Sequence, residues 1–273
     1  MAIITSQQLA TYYELYRSIE VTFNKEVTAL LGFAQEHVML KIFGVQWHCI
    51  IYSSSLESAK IILNLKPEQI EKLRTGSNLV ALRYAFRTSD KVEPLTFFAN
   101  GRVKGYSRYN STANPDLYFM TVEFSQRPSD DLIEILGRFL EANVNSQKRK
   151  DVRLPVSEAN VKKVGFASCN TLVSVENVSR KCLVRDLSFS GALVLIPGVA
   201  KFLEGRSAVL KLVLEESGHT LSLAGKLVRV EPLEGRRDIT QAALQFDEAT
   251  VPHAYKLKIN DAIRLLKSPS HQG

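Results

Sequence analysis

Short β-rich runs broken by turn chemistry recur along this chain in two series, each ending in an amphipathic helix, and a chain built this way has to dispose of its sheet edges twice. The first series is Val45 to Tyr52, Leu79 to Phe86, Leu95 to Tyr106 and Leu117 to Phe124, with turn residues at Thr88-Ser89-Asp90 and from Asn110 to Pro115. A helix opened by Ser129, Asp130 and Asp131 follows, with Leu132, Leu136, Phe139 and Leu140 on one face. The second series is Gly165 to Cys169, Arg180 to Leu187, Ala192 to Ile196, Ser207 to Leu214, Leu221 to Val230 and Gln241 to Phe246. It ends in a helix from about Pro252 to Lys267 that stacks Tyr255, Ile259, Ile263 and Leu266. Leu9, Tyr12, Tyr16 and Ile19 mark a short first helix after Ser6, and Ser55 and Pro67 are read as opening two short helical pieces.

A length of 273 residues suits two cores better than one. The expected fold class is therefore mainly β (α+β), two small antiparallel β-barrels each with a terminal helix. The expected division is a first domain over 1–142, a basic linker over 143–154 and a second domain over 155–273. The linker reading rests on the polar, aperiodic and basic character of Asn143 to Leu154.

The hydrophobic content of 45% and charged content of 23% belong to an ordinary globular chain. No run reaches the roughly 20 apolar residues of a membrane-spanning helix, and the start lacks the basic flank and apolar block of a secretory signal. The expectation is a cytoplasmic protein without membrane insertion. Cys49, Cys169 and Cys182 form neither a close pair nor an even set and read as reduced structural thiols. The formal charge of +7 points to a polyanionic partner, and part of it is concentrated in Lys148-Arg149-Lys150-Asp151-Val152-Arg153.

That run contains the pattern RxxxR at Arg149 and Arg153. Asp186-Leu187-Ser188-Phe189-Ser190-Gly191, beginning thirty-three positions after Arg153, is DxSxxG. A basic segment opening an all-β unit, with the second pattern at the end of an early strand, resembles the PilZ domain, a family of receptors for the bacterial second messenger cyclic di-GMP. The likeness covers about residues 145–267. It implies a β-barrel on which the dinucleotide lies, bound by Arg149, Arg153, Asp186, Ser188 and Gly191. Gln147, Lys148, Gly225 and Arg229 are secondary candidates, the last two because the strand from Leu221 to Val230 can line the same surface.

The chemistry agrees. Guanidinium forks suit guanine O6 and N7 or phosphate oxygens and stack on purines. A carboxylate accepts from guanine N1 and N2, and a hydroxyl bonds phosphate or base. On a strand, Asp186 and Ser188 would share one face with Leu187 turned inward, while Gly191 would permit a tight or left-handed turn and close ligand approach.

The first domain resembles the PilZ-associated N-terminal domains of two-domain receptors of spirochaete and flagellar-brake type. No binding motif recurs in it, so it is expected to meet a protein partner. The resemblance further implies signalling by domain reorientation to motility, adhesion or virulence outputs, with a linker that is mobile until ligand arrives. No catalytic or metal pattern emerges: GxSxG, HExxH and the Walker glycine loop are absent, and the histidines have no ligand spacing. The expectation is a non-enzyme with no cofactor beyond the ligand and no metal. The alternatives are a PilZ-like adaptor that binds no nucleotide and a nucleic-acid-binding protein, which the positive charge allows.

Overall fold

The computed structural model describes residues 4–75, 78–88, 92–109, 116–150 and 152–267. The expected turns at Ser89-Asp90 and Asn110 to Pro115, and Asp151 within RxxxR, lie outside the described residues. The chain divides into two compact units, Met1–Glu141 and Ala142–Gly273.

The first unit runs α1 (Ser6–Tyr16), β1 (Val21–Thr22), α2 (Lys25–Leu30), β2 (Met39–Ile42), β3 (Val45–Ser54), β4 (Ser58–Asn64), α3 (Pro67–Thr75), β5 (Leu79–Phe86), β6 (Leu95–Arg108), β7 (Leu117–Phe124) and most of α4 (Asp130–Lys148). The strands pair antiparallel in the order β3-β2-β5-β6-β7-β4, and β4 returns to β3, closing a six-stranded barrel with β1 added on β3. Period-two burial explains the closure, since strands such as β4 alternate buried Ala59, Ile61 and Leu63 with outward Lys60 and Ile62. The expected helical piece at Ser55 is instead the turn into β4. Its hydroxyl accepts the amides of Glu57 and Ser58, which reverses the chain rather than starting a helix. Leu40, Ile51, Ile61, Leu82, Tyr84, Phe86 and Met120 fill the interior. Each is worth roughly 1.5–3 kcal/mol buried.

The second unit contains β8 (Leu154–Pro155), α5 (Val161–Val164), β9 (Asn170–Val175), β10 (Val178–Leu187), β11 (Gly191–Pro197), β12 (Ser207–Val213), β13 (Thr220–Leu233), β14 (Arg236–Phe246) and α6 (His253–Lys267). The ring is β11-β14-β13-β12-β9-β10, closed by β10 on β11, with β8 added on β10. Numbered from the first barrel strand of each unit, the two rings have the same strand order. The strand expected at Gly165 to Cys169 is not formed. Gly165, at φ +102°, ends α5, Phe166 makes a single bridge to Leu214, and the strand begins at Asn170. The expected linker also differs at its start, because residues 143–148 continue α4. Asn145 and Ser146 are buried there, so polarity at these positions reflects hydrogen bonding and not exposure.

Candidate functional site

A β-bulge decides which side chains reach the outer face of the second barrel. On β10, Cys182 and Val184 point inward, and strict alternation would send residue 186 inward as well. The pairing with β11 slips between Val184↔Val194 and Asp186↔Leu193, so Arg185 is the extra residue. That slip turns Leu187 into the core and leaves Asp186 at the surface, its side chain 17% exposed.

The RxxxR segment lies against this strand. Leu154 pairs with Leu187 and Pro155 with Asp186, and the Val156 amide donates to the Arg185 carbonyl at 2.8 Å. Arg153 Nη1 donates to Asp186 Oδ1 at 2.7 Å. Arg149 is exposed just after α4, and its guanidinium makes no hydrogen bond or ion pair to a described residue. Its amide donates to the Asn145 carbonyl at 2.8 Å, the last turn of the helix. Gln147 and Lys148 are exposed on that turn. Lys150 Nζ reaches Glu248 at 2.6 Å, and the Ser190 hydroxyl donates to the Lys150 carbonyl at 3.0 Å. The segment is thus tied to the barrel on both sides of residue 151.

Two expectations about the DxSxxG turn need correction. Ser188 does not share the face of Asp186, because β10 ends at Leu187. Ser188 is 1% exposed, and both its amide (2.8 Å) and its hydroxyl (3.2 Å) donate to the Gly191 carbonyl. Its own carbonyl accepts from the Tyr255 phenol of α6 at 2.7 Å. Burial, aided by the nearby Asp186 charge, pushes that phenol well up, so it remains a donor at neutral pH. Gly191 is not left-handed. It pairs with Gln245, and a Cβ there would stand 2.5 Å from the Leu244 carbonyl oxygen, so the close approach that requires glycine is to β14.

The secondary strand candidates are separated. Register places Asp186, Leu193, Ala243 and Arg229 in one row across β10, β11, β14 and β13. Arg229 is thus three strand spacings from Asp186, about 14 Å, and its exposed guanidinium is only 3.9 Å from Glu231. Gly225 pairs with Phe246 and borders a cavity of about 540 Å³ with Ser174, Ser207, Lys226 and Gln245. A Cβ at Gly225 would lie 2.0 Å from the Gln245 carbonyl oxygen, a packing demand independent of any ligand. Arg153 shares its guanidinium with a carboxylate while Arg149 and Arg229 are exposed, and guanidinium groups of this kind suit anionic or purine ligands.

Sequence reasoning gave no polar contact to Ser190, Tyr255, Asn145 and Asn260, each of which is hydrogen-bonded around the turn or the segment before it. Ser190 occupies a variable position of DxSxxG, and the others act through contacts between distant segments. Among the described residues no group of three or more His, Cys, Asp or Glu side chains could hold a metal ion, and no helix is long and apolar enough to cross a membrane. Burial pushes the Cys49 and Cys182 thiols up to about 12.

Residues 7–143 match the PilZN3 domain and residues 147–262 the PilZ domain. The chain is 40% identical over 273 residues to the cyclic di-GMP binding protein of Treponema denticola, covering all of this chain and 87% of that one. Among solved structures it is similar to the Borreliella burgdorferi PlzA protein in complex with c-di-GMP, with 21% identity, 94% and 98% of the two chains covered and a TM-score of 0.42. Escherichia coli YcgR in complex with c-di-GMP is more distant, at 11% identity, 95% and 88% coverage and a TM-score of 0.30.

Proposed function

This chain belongs to the PilZ family, with a PilZN3 domain followed by a PilZ domain, and from that premise we propose that its second barrel binds cyclic di-GMP through Arg149, Arg153 and Asp186. The observation that carries the reading is the Arg153–Asp186 contact at 2.7 Å, with Arg149 exposed four residues earlier on the same segment. This arrangement joins an acceptor for guanine N1 and N2 to forks for guanine O6 and N7 or phosphate. Ser188 and Gly191 contribute by shaping the turn, and Arg229 extends the basic row for the far side of the ligand. The relative's binding of cyclic di-GMP, over the full length of this chain, supports the same ligand.

The signal is a change in the relation between the two units. Arg149 directly follows α4, a helix with residues in both units, so drawing its side chain onto a nucleotide biases the end of that helix, with a coupling on the order of 1–3 kcal/mol. The first unit passes the change to a protein partner. Calorimetric titration with cyclic di-GMP, with GTP and cyclic di-AMP as controls, is expected to give saturable binding specific to cyclic di-GMP. A folded wild type that binds none leaves the adaptor reading in its place. Small-angle scattering unchanged at saturation overturns the reorientation and spares the binding.

A further inference from the structure

The two halves of the site are joined by more than their own contact. Tyr255, 0% exposed, donates to the Ser188 carbonyl at the heart of the DxSxxG turn. Five residues on along α6, Asn260, 1% exposed, accepts from Asn145 Nδ2 at 2.7 Å. The Asn145 carbonyl in turn holds the Arg149 amide, and the Lys150 carbonyl, one residue on, accepts the Ser190 hydroxyl of the turn. A second contact between the same helices, His253 Nδ1 with Asn143 Oδ1 at 2.9 Å, lies one α4 turn before Ser146. Tracing these bonds gives a closed circuit from α6 to the RxxxR segment, to the DxSxxG turn and back to α6.

We propose that α6 is a strut that sets the distance between Arg149 and Asp186, and that Tyr255 and Asn260 are positioning residues for the nucleotide although neither is at the binding surface. The circuit explains why two fully buried polar side chains sit on a helix whose other inward residues, Ile259 and Ile263, are apolar. Buried amide and phenol groups are retained only where they are bonded, and bonds between segments 115 and 67 residues apart specify one register of the helix on the barrel. This rests on the ligand reading above.

The test is cyclic di-GMP affinity of the full chain carrying Tyr255→Phe, Asn260→Leu and both. Tyr255→Phe removes only the phenol oxygen, and Asn260→Leu keeps the branched shape of the side chain while removing its hydrogen-bonding atoms. The expected loss is about tenfold for each single variant. Because they break one circuit, the double variant should lose little more than the worse single one. The backbone amide resonances of Arg149 and Ser190 should shift in Tyr255→Phe, which loss of stability elsewhere would not produce. If the wild type fails to bind, the ligand reading falls. If the wild type binds and folded Tyr255→Phe and Asn260→Leu bind as tightly, the strut falls alone. Should Tyr255→Phe not fold, Asn260→Leu decides the matter, read by affinity together with the same Arg149 and Ser190 amide resonances.

Discussion

The two barrels are built to one plan, and their equivalent positions separate what the fold needs from what a ligand needs. In the first, β1 adds to β3 as β8 adds to β10, with Thr22↔Ser53 standing where Pro155↔Asp186 stands in the second. Each host strand has its bulge just before that point, at Tyr52 and at Arg185. The turns match as well. The amide and hydroxyl of Ser55 bond the Ser58 carbonyl as those of Ser188 bond Gly191, and Phe124 and Phe246 each donate to a turn carbonyl at 2.8 Å. Gly101 faces β7 as Gly225 faces β14, with a Cβ excluded at 2.4 and 2.0 Å. Ser188 and Gly225 therefore have first-barrel counterparts of the same type, and their presence is explained by the fold.

The other positions diverge. Register and count put Glu20 in the place of Arg153, Ser53 in that of Asp186, Ser58 in that of Gly191, Gly105 in that of Arg229 and buried Tyr16 in that of Arg149. Where the second barrel has an arginine bonded to an aspartate, the first has the Ser53 hydroxyl donating to Glu20, with Lys60 on the same carboxylate. The Ser53 hydrogen bond and Lys60 hold that carboxyl below the usual range, so it is an anion at neutral pH where a phosphodiester would need a cation. The same frame thus carries an arginine–aspartate pair in one unit and a serine–glutamate–lysine cluster in the other.

Charge exchange at the paired positions should break the comparison most sharply. Arg153→Glu is expected to weaken cyclic di-GMP binding by about 100-fold or more, since it leaves Asp186 facing a like charge. Glu20→Arg should change affinity by less than about twofold in the same titration. Equal effects would mean that both barrels contribute to one site. Next in size, Gly101→Ala and Gly225→Ala should each cost about 1–3 kcal/mol in denaturant melts, because both drive a methyl group into a neighbouring strand's carbonyl. If Gly225→Ala kept full stability and lost only ligand, the glycine would belong to the site after all. Arg229→Ala should reduce affinity by about tenfold, or ~1.4 kcal/mol, with stability unchanged. Installing arginine at Gly105, where a Cβ meets nothing, should have no effect on binding.

The smallest effect is on acid stability. Glu20 has a lowered folded-state pKa, so its contribution is present above the ordinary value of 4.5 and is lost as pH falls through the folded value. Glu20→Gln should remove that part of the acid limb. Because Lys60 and Glu20 are 49% and 40% exposed, the change should stay under ~1 kcal/mol.

Most strands could be read from the sequence because each half-buried strand carries its own alternation, as Leu79–Phe86 and Leu117–Phe124 do. β4 was hidden because Ser58–Asn64 follows a serine whose turn chemistry also suits a helix cap. The motifs RxxxR and DxSxxG supplied the residues proposed for the site, yet alternation alone would have put Ser188 beside Asp186. The bulge at Arg185 that sets the face is a property of pairing with β11 and leaves no mark in the local sequence. Tyr255 and Asn260 look like ordinary members of an amphipathic helix, and their partners lie on segments far away in the chain. The likeness of Glu20–Ser53 to Arg153–Asp186 is likewise invisible to sequence, since only position is shared and the chemistry is inverted.

Amide hydrogen exchange of the full chain with and without saturating cyclic di-GMP tests the central claim most directly. The account predicts ligand-dependent protection concentrated in residues 147–156 and 186–193, with the equivalent segments 16–23 and 53–60 unchanged at short times. Protection of 16–23 and 53–60, with none at 147–156, would contradict it.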